Sequence, residues 1–345
     1  MRKNNPKYKQ WLKNRQKHFE KKRKKKNIKS GRNVCNSNTY YPIESIDKNE
    51  KYRIKVPDNF SIKDNPKEVS EFFNKVLHFT NSKHKDMDIM FELSQVKNIS
   101  ADAIMYLIAV MQDLQKLGYA RHRFHGDFPV DIKLCNYLYD IGFLNYVSSR
   151  RPKGYTNTNI LQVIDKDHFD QKYIKQVCDF VNTTSNLTRK DTRFLYVLIT
   201  EMMTNTCEHA YIKRSQKLKK WYLCAQKDAN LYKFTFIDIG EGIPNTVQRK
   251  TTERIFKSES SIISSALNGE FRTQTKQGFR GKGLPKIKAC VQEQNLENFT
   301  IISNKGYCRI HNDDNGSYIE ENELTLPIIG TVYYWEMTIQ RREPC

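Results

Sequence analysis

The chain reads as an α/β (α+β) protein, with two successive α/β units behind a basic N-terminal arm. Three observations carry this. Between residues 51 and 147, strand-like segments alternate with helical stretches. From 191 to 294 come a helix with a polar stripe, an alternating aromatic strand, and a glycine-rich turn leading into another helix. Charge is concentrated at one end: residues 1–33 hold 15 Lys and Arg and one acidic residue, Glu20, which is +14 of the chain's +21. The expected organisation is arm and linker over 1–50, a first α/β unit over 51–160 and a second over 165–345.

The arm centres on Lys21-Lys22-Arg23-Lys24-Lys25-Lys26, with Tyr8, Trp11 and Phe19 interleaved. Such a run binds phosphate backbones by counterion release, and its aromatics offer stacking faces. Nucleic acid is therefore the expected partner of residues 1–33. An acidic protein, a membrane surface or a purely solubilising role are the alternatives. Like-charge crowding opposes a stable isolated helix over 7–26.

Val34 to Glu50 reads as linker. Lys51 to Val56 reads as a strand and Pro66 to Phe79 as a helix. Asp86 to Leu93 (DMDIMFEL) has the pattern of a buried strand. Ala101 to Gly118 has a Leu, Ile and Met face and reads as a helix, with Ser100 at the position of an N-cap. A strand near Ala120 to His125 and a helix from Val130 to Val147 complete the unit.

In the second unit, the stretch from Asp191 is apolar and free of Pro and Gly. Residues four apart on a helix drift by only about 40°. Glu201, Asn205 and His209 then share one stripe, while Leu195, Leu198 and Met202 face a core. A carboxylate beside a carboxamide suits Mg²⁺ and water: the Asn oxygen is a hard ligand and the Glu takes a proton. A solvated polar face is the alternative. Leu231 to Asp238 (LYKFTFID) alternates as a strand that delivers Asp238 to its end, where a carboxylate accepts from an exocyclic amine. Gly240 and Gly242 follow, permitting turns and close approach. Gly278-Phe-Arg280-Gly281-Lys282-Gly283 then precedes a helix from Leu284 to about Gln294. Backbone N–H groups at a helix start, together with Arg280 and Lys282, form a phosphate cradle.

The longest wholly apolar run, Ala103 to Met111, is too short to span a bilayer, and no apolar segment follows the basic start as in a secretory signal. The eight Cys form no Cys-x-x-Cys pair, which gives zinc and redox readings no support and fits reduced thiols in a cytoplasmic protein.

Taken in order, these motifs resemble the GHKL ATPase superfamily, closest in style to the anti-sigma-factor serine kinases. Glu201, Asn205 and His209 match its N box, Asp238, Gly240 and Gly242 its first glycine box, and Gly281 and Gly283 its second. The segment Leu326 to Met337, with Gly330 and Thr331, looks like the family's closing strand. The resemblance covers about 165 to 342. It implies an ATP-binding α/β sandwich in which Asn205 coordinates Mg²⁺, Glu201 polarises the attacking water or hydroxyl, Asp238 reads adenine and Thr331 supports Asp238. It further implies a lid over about 245 to 280 that closes Arg280, Gly281, Lys282 and Gly283 on the phosphates. His209 approaches a phosphate, caps or packs. Residues 91–103 and 138–147 resemble a STAS domain, in which a Ser near the position of Ser100 is phosphorylated by a separate kinase. The Asp-Ser-Ser/Thr-Gly pattern is absent, and an N-cap role explains Ser100 better. This STAS-like unit is a candidate surface for a protein partner, and a homodimer is another candidate assembly. No His lies in Phe180 to Lys190 and no His-Glu-x-x-x-x-Pro motif precedes the N box, which argues against a self-phosphorylating sensor kinase. The expected function is a Mg-ATP-binding regulatory switch with slow hydrolysis. The alternatives are a serine/threonine protein kinase or a non-hydrolysing ATP-sensing scaffold.

Overall fold

The computed structural model describes residues 51–81, 87–119, 123–147, 157–185, 187–211, 218–248, 257–271, 283–294, 296–313 and 316–339. The basic arm and the linker expected to residue 50 lie outside them, as do Arg280, Gly281 and Lys282. The first unit holds β1 (Lys51–Lys55), β2 (Asn59–Phe60), α1 (Pro66–Asn81), β3 (Asp88–Glu92), β4 (Asn98–Ile99), α2 (Ala101–Lys116), β5 (Phe124–Gly126), α3 (Ile132–Asp140) and α4 (Leu144–Val147). The second holds β6 (Ile160–Lys166), α5 (Gln171–Thr184), α6 (Arg193–His209), β7 (Trp221–Asp228), β8 (Leu231–Asp238), α7 (Ile243–Gln248) and α8 (Glu259–Leu267). It continues through α9 (Gly283–Glu293), β9 (Glu297–Ser303), β10 (Gly306–Asp313), β11 (Gly316–Glu323) and β12 (Thr331–Thr338).

The expected mixed architecture is present. β1, β3 and β5 form a parallel sheet in that order. Parallel neighbours need crossovers, and α1 and α2 supply them. The second unit builds a seven-stranded antiparallel sheet in the order β11-β10-β9-β12-β8-β7-β6. β6 opens this sheet at Ile160.

Side chains alternate across the large sheet, so each strand feeds two cores. Trp221, Leu223, Phe234, Phe236, Tyr333 and Trp335 face the layer of α5, α6, α8 and α9. Tyr222, Cys224, Ile237, Ile302 and Val332 face the other way and join the core of the first unit. The element between is α2. Thirteen of its residues, from Ala101 to Leu114, are buried, and it packs on both β7 and β8. A helix apolar all round needs cover all round, and two sheets provide it. The two α/β units thus share one continuous core.

Polar clasps fix this contact. The Tyr106 hydroxyl donates to the Ile329 carbonyl at 2.9 Å and accepts from the Ile329 N–H at 2.6 Å. Asn74 Nδ2 donates to the Pro327 carbonyl at 2.7 Å. Gln112 Oε1 accepts from the Tyr222 hydroxyl at 2.9 Å and from Lys220 Nζ at 3.1 Å.

Three local readings change. The helix expected over Val130–Val147 is two helices, because Gly142 adopts φ +83° between them. Ser100 stands at the N-cap of α2 but makes no side-chain cap bond. Its hydroxyl goes to the buried Asp102 carboxylate, which also accepts from the backbone N–H groups of Ile62, Lys63 and Ala103. Finally, the lid expected over 245–280 contains α8. Ile262, Ile263, Ala266 and Leu267 bury it, and it packs on β10 and β11. That part of the segment belongs to the core because its apolar residues recur at helical spacing.

Candidate functional site

Helix α6 links two elements distant in sequence, the end of β8 and the start of α9. α6 brings Glu201 and Asn205, β8 ends at Asp238, and α9 begins at Gly283. α6 runs as expected: Leu195, Leu198 and Met202 are fully buried, anchoring the helix to the large sheet. This aims the Glu201 stripe along one edge of the helix layer, where α9 packs against α6.

Gly283 is the closest link. A Cβ there would lie 2.9 Å from Asn205 Oδ1 and 3.3 Å from Glu201 Oε2. Only the absence of a side chain lets the start of α9 sit against this pair. Asn205 Nδ2 is buried with no hydrogen-bond partner of normal geometry. The Tyr333 phenol lies beside the Asn205 side chain. Glu201 is buried, and its Oε1 accepts from Lys286 Nζ at 2.8 Å. His209 ends α6 half-exposed, with Nε2 3.5 Å from Glu208 Oε2.

Asp238 is buried with defined partners. Its Oδ1 accepts the Gly240 N–H at 2.8 Å and its Oδ2 accepts the Thr206 hydroxyl at 3.3 Å. Thr206 follows Asn205 on α6, so the helix and the strand end are tied at the site itself. Tyr333 lies between Asp238 and Asn205. Burial and the Asp238 carboxylate push its phenol above the ordinary range, and its contact with Asn205 offsets part of that. Burial and Asp238 also raise the Tyr211 phenol, so both rings stay protonated beside the carboxylate.

The first glycine turn works in an unexpected way. A Cβ on Gly240 would stand 2.4 Å from the Ala210 carbonyl, and the Glu241 N–H donates to that same carbonyl at 2.6 Å. The turn therefore caps the end of α6. Gly242, at φ +79°, presses on Asn304 and Ser303. The close approaches that these two glycines allow are to protein atoms.

Thr331 is directly opposite Asp238 in the β12–β8 register. Its hydroxyl meets Ser303 Oγ at 3.0 Å, and Ser303 Oγ in turn donates to the Gly330 carbonyl and accepts the Ile243 N–H. Thr331 and Ser303 thus brace the strand end and the turn that follow Asp238. Glu201, Asn205 and Gly283 come together here, while Asp238 is tied to the next helix residue, Thr206, and stands opposite Thr331 in the sheet. Arg280, Gly281 and Lys282 lie outside the described residues.

Sequence reading missed Lys286, Thr206, Tyr333 and Ser303. Lys286 had a faint signal: it follows Gly283 by three residues, one turn along the same helix face. Ser303 and Tyr333 lie in largely apolar strands and Thr206 among other polar residues of α6, and only packing shows which way they point.

Among the described residues, no cluster of three or more His, Cys, Asp or Glu could hold a metal ion unaided, and no helix is long and apolar enough to cross a membrane. No protein-family model matches the chain, and no curated protein matches its sequence.

Proposed function

We propose that this chain is a GHKL-type protein that binds Mg-ATP between α6, β8 and α9 and uses it as a nucleotide-dependent regulatory switch. The observation that carries the reading is Gly283. Its bare Cα face lies against Asn205 Oδ1 and Glu201 Oε2. The glycine that opens α9 is thereby brought to a helical stripe that carries a hard oxygen ligand and a carboxylate. The residues present fit the group. Asn205 Oδ1 would supply one oxygen to Mg²⁺, an ion that takes hard oxygen ligands. A Mg²⁺ ion held there would supply charge neutralisation at the phosphates.

The chain's own residues do the rest. Asp238, held by the Gly240 N–H and Thr206, accepts from adenine's exocyclic amine. Glu201 takes the proton of the attacking water as its oxygen bonds to the terminal phosphorus and the bond to ADP breaks. The backbone N–H groups at the start of α9 face the phosphates.

The shared core favours a switch over a free-standing hydrolase. Tyr106 of the first unit holds the Ile329 backbone, two residues before Thr331 and its neighbour Asp238. A change at the pocket is therefore felt in the STAS-like unit, which we assign to a protein partner. The arm at 1–33 is assigned to nucleic acid, and the protein to the cytoplasm. The test is incubation with γ-labelled Mg-ATP, with free phosphate and labelled protein measured separately. Free phosphate alone supports the ATPase, label on a Ser supports the kinase alternative, and binding without either supports the ATP-sensing scaffold. No nucleotide binding overturns the assignment.

A further inference from the structure

We propose that Lys286 is a ligand for the terminal phosphate of ATP, held in reserve on Glu201 until the nucleotide arrives. This rests on the ATP-binding reading above and adds to it a residue that no motif contains. The first turn of α9 is fixed against α6 by Gly283, whose Cα admits Asn205 Oδ1 where a side chain would stand. Lys286 follows three residues later and points the same way, with Nζ 2.8 Å from Glu201 Oε1. Lys288, two residues further along α9, turns elsewhere and donates to Asn268 Oδ1 at 2.7 Å. Lys286 is thus the α9 cation directed at the Glu201–Asn205 pair.

The two partners differ in freedom. The Glu201 side chain is 6% exposed and the Lys286 side chain 45%. The carboxylate is locked in place, while the ammonium sits on the solvent side at the end of a flexible four-carbon stem. An anion that enters beside Asn205 meets this ammonium within reach. A terminal phosphate carries more negative charge and more acceptor oxygens than one carboxylate, so it is the stronger partner. While Lys286 stays on Glu201 Oε1, one acceptor site of that oxygen is engaged. When Lys286 moves to the phosphate, the oxygen is released at the moment a substrate is present. The exchange breaks no covalent bond. ADP lacks the terminal phosphate and leaves the ion pair in place, so the pair discriminates ATP from ADP.

The experiment is calorimetric titration of the full chain with Mg-ATP and with Mg-ADP, for the wild type, Lys286→Met and Lys286→Arg. Loss of one charge-assisted phosphate contact should weaken ATP binding about 10- to 100-fold. ADP affinity should stay unchanged, and Lys286→Arg should keep most of the ATP preference. If ATP and ADP affinities fall together, or neither falls, in a variant with unaltered circular dichroism, Lys286 is only a structural partner of Glu201 and the proposal is overturned. Lys286→Met leaves a buried carboxylate unpaired and could fail to fold. The pair Glu201→Gln and Glu201→Gln/Lys286→Met removes that charge, and the same loss of ATP preference is expected between them. A wild type that binds neither nucleotide would instead overturn the ATP-binding reading itself, which separates the two failures.

Discussion

Gly283 and Glu201 show how single residues at this site separate binding from chemistry. A methyl group on Gly283 would sit 2.9 Å from Asn205 Oδ1, closer than real side chains allow. Either α9 shifts or Asn205 turns away, and both spoil the Mg²⁺ ligand. Gly283→Ala is therefore expected to weaken Mg-ATP binding by at least about tenfold, roughly 1.4 kcal/mol, in a protein that still folds. Calorimetry beside circular dichroism checks this, and wild-type affinity in the folded variant would remove Gly283 from the site. Glu201→Gln has the opposite profile. A carboxamide fills the same space and still accepts from Lys286, but it cannot take a proton. Binding should persist while phosphate release drops about 10²–10⁴-fold. Release at the wild-type rate would return Glu201 to a structural role.

At the scale of elements, the informative contact is between α2 and the turn before β12. The Tyr106 hydroxyl satisfies both backbone groups of Ile329, and Gly330 next to it packs against the Asp238 backbone. Tyr106→Phe keeps the ring and removes those two bonds, leaving an N–H and a carbonyl to find other partners. The expected cost is about 1–3 kcal/mol of stability, read as a lower denaturant midpoint with an unchanged slope. A midpoint equal to the wild type would show that water replaces the hydroxyl fully. The same element pair illustrates what patterning conveys. The apolar run in α2 marks it as buried, and the spacing of β8 marks it as a strand. Neither states that the two pack together, because a buried helix and a two-faced strand accept many partners.

For the whole molecule, the shared core makes the two α/β units interdependent. Residues 160–345 alone would expose Tyr222, Cys224, Ile237, Ile302 and Val332, a contiguous apolar face of the kind that drives association. Separately produced fragments 51–159 and 160–345 are expected to bind an apolar dye and to lack a cooperative thermal transition. Two monomeric, cooperatively folding fragments would show the interface to be dispensable. The arm is expected to behave differently. Its 15 cations in 33 residues favour sequence-indifferent binding, with log affinity falling by about 0.7–0.9 per neutralised phosphate for each tenfold rise in salt. A salt series on full-length and arm-deleted protein, with single- and double-stranded DNA and RNA, tests it. Equal binding by both forms would assign the arm to another role.

The sequence by itself determined what is local. β8 and α6, the stripe of Glu201 and Asn205, the strand-end Asp238 and the glycine that opens α9 are all short-range patterns, written in periodicity and in residues with special backbone freedom. The concentration of charge in the arm is likewise plain in composition. Tertiary structure decided what each local feature faces. It turned Gly240 toward Ala210 and Gly242 toward Asn304 and Ser303, gave Ser100 to Asp102 in place of a cap, and drew α8 into the core. It also set Lys286 on Glu201 across 85 residues of chain. The physical reason is one of range. Backbone sterics and side-chain periodicity act within a few residues, whereas the partner of a buried polar group is chosen by how whole layers pack, which no local spacing encodes.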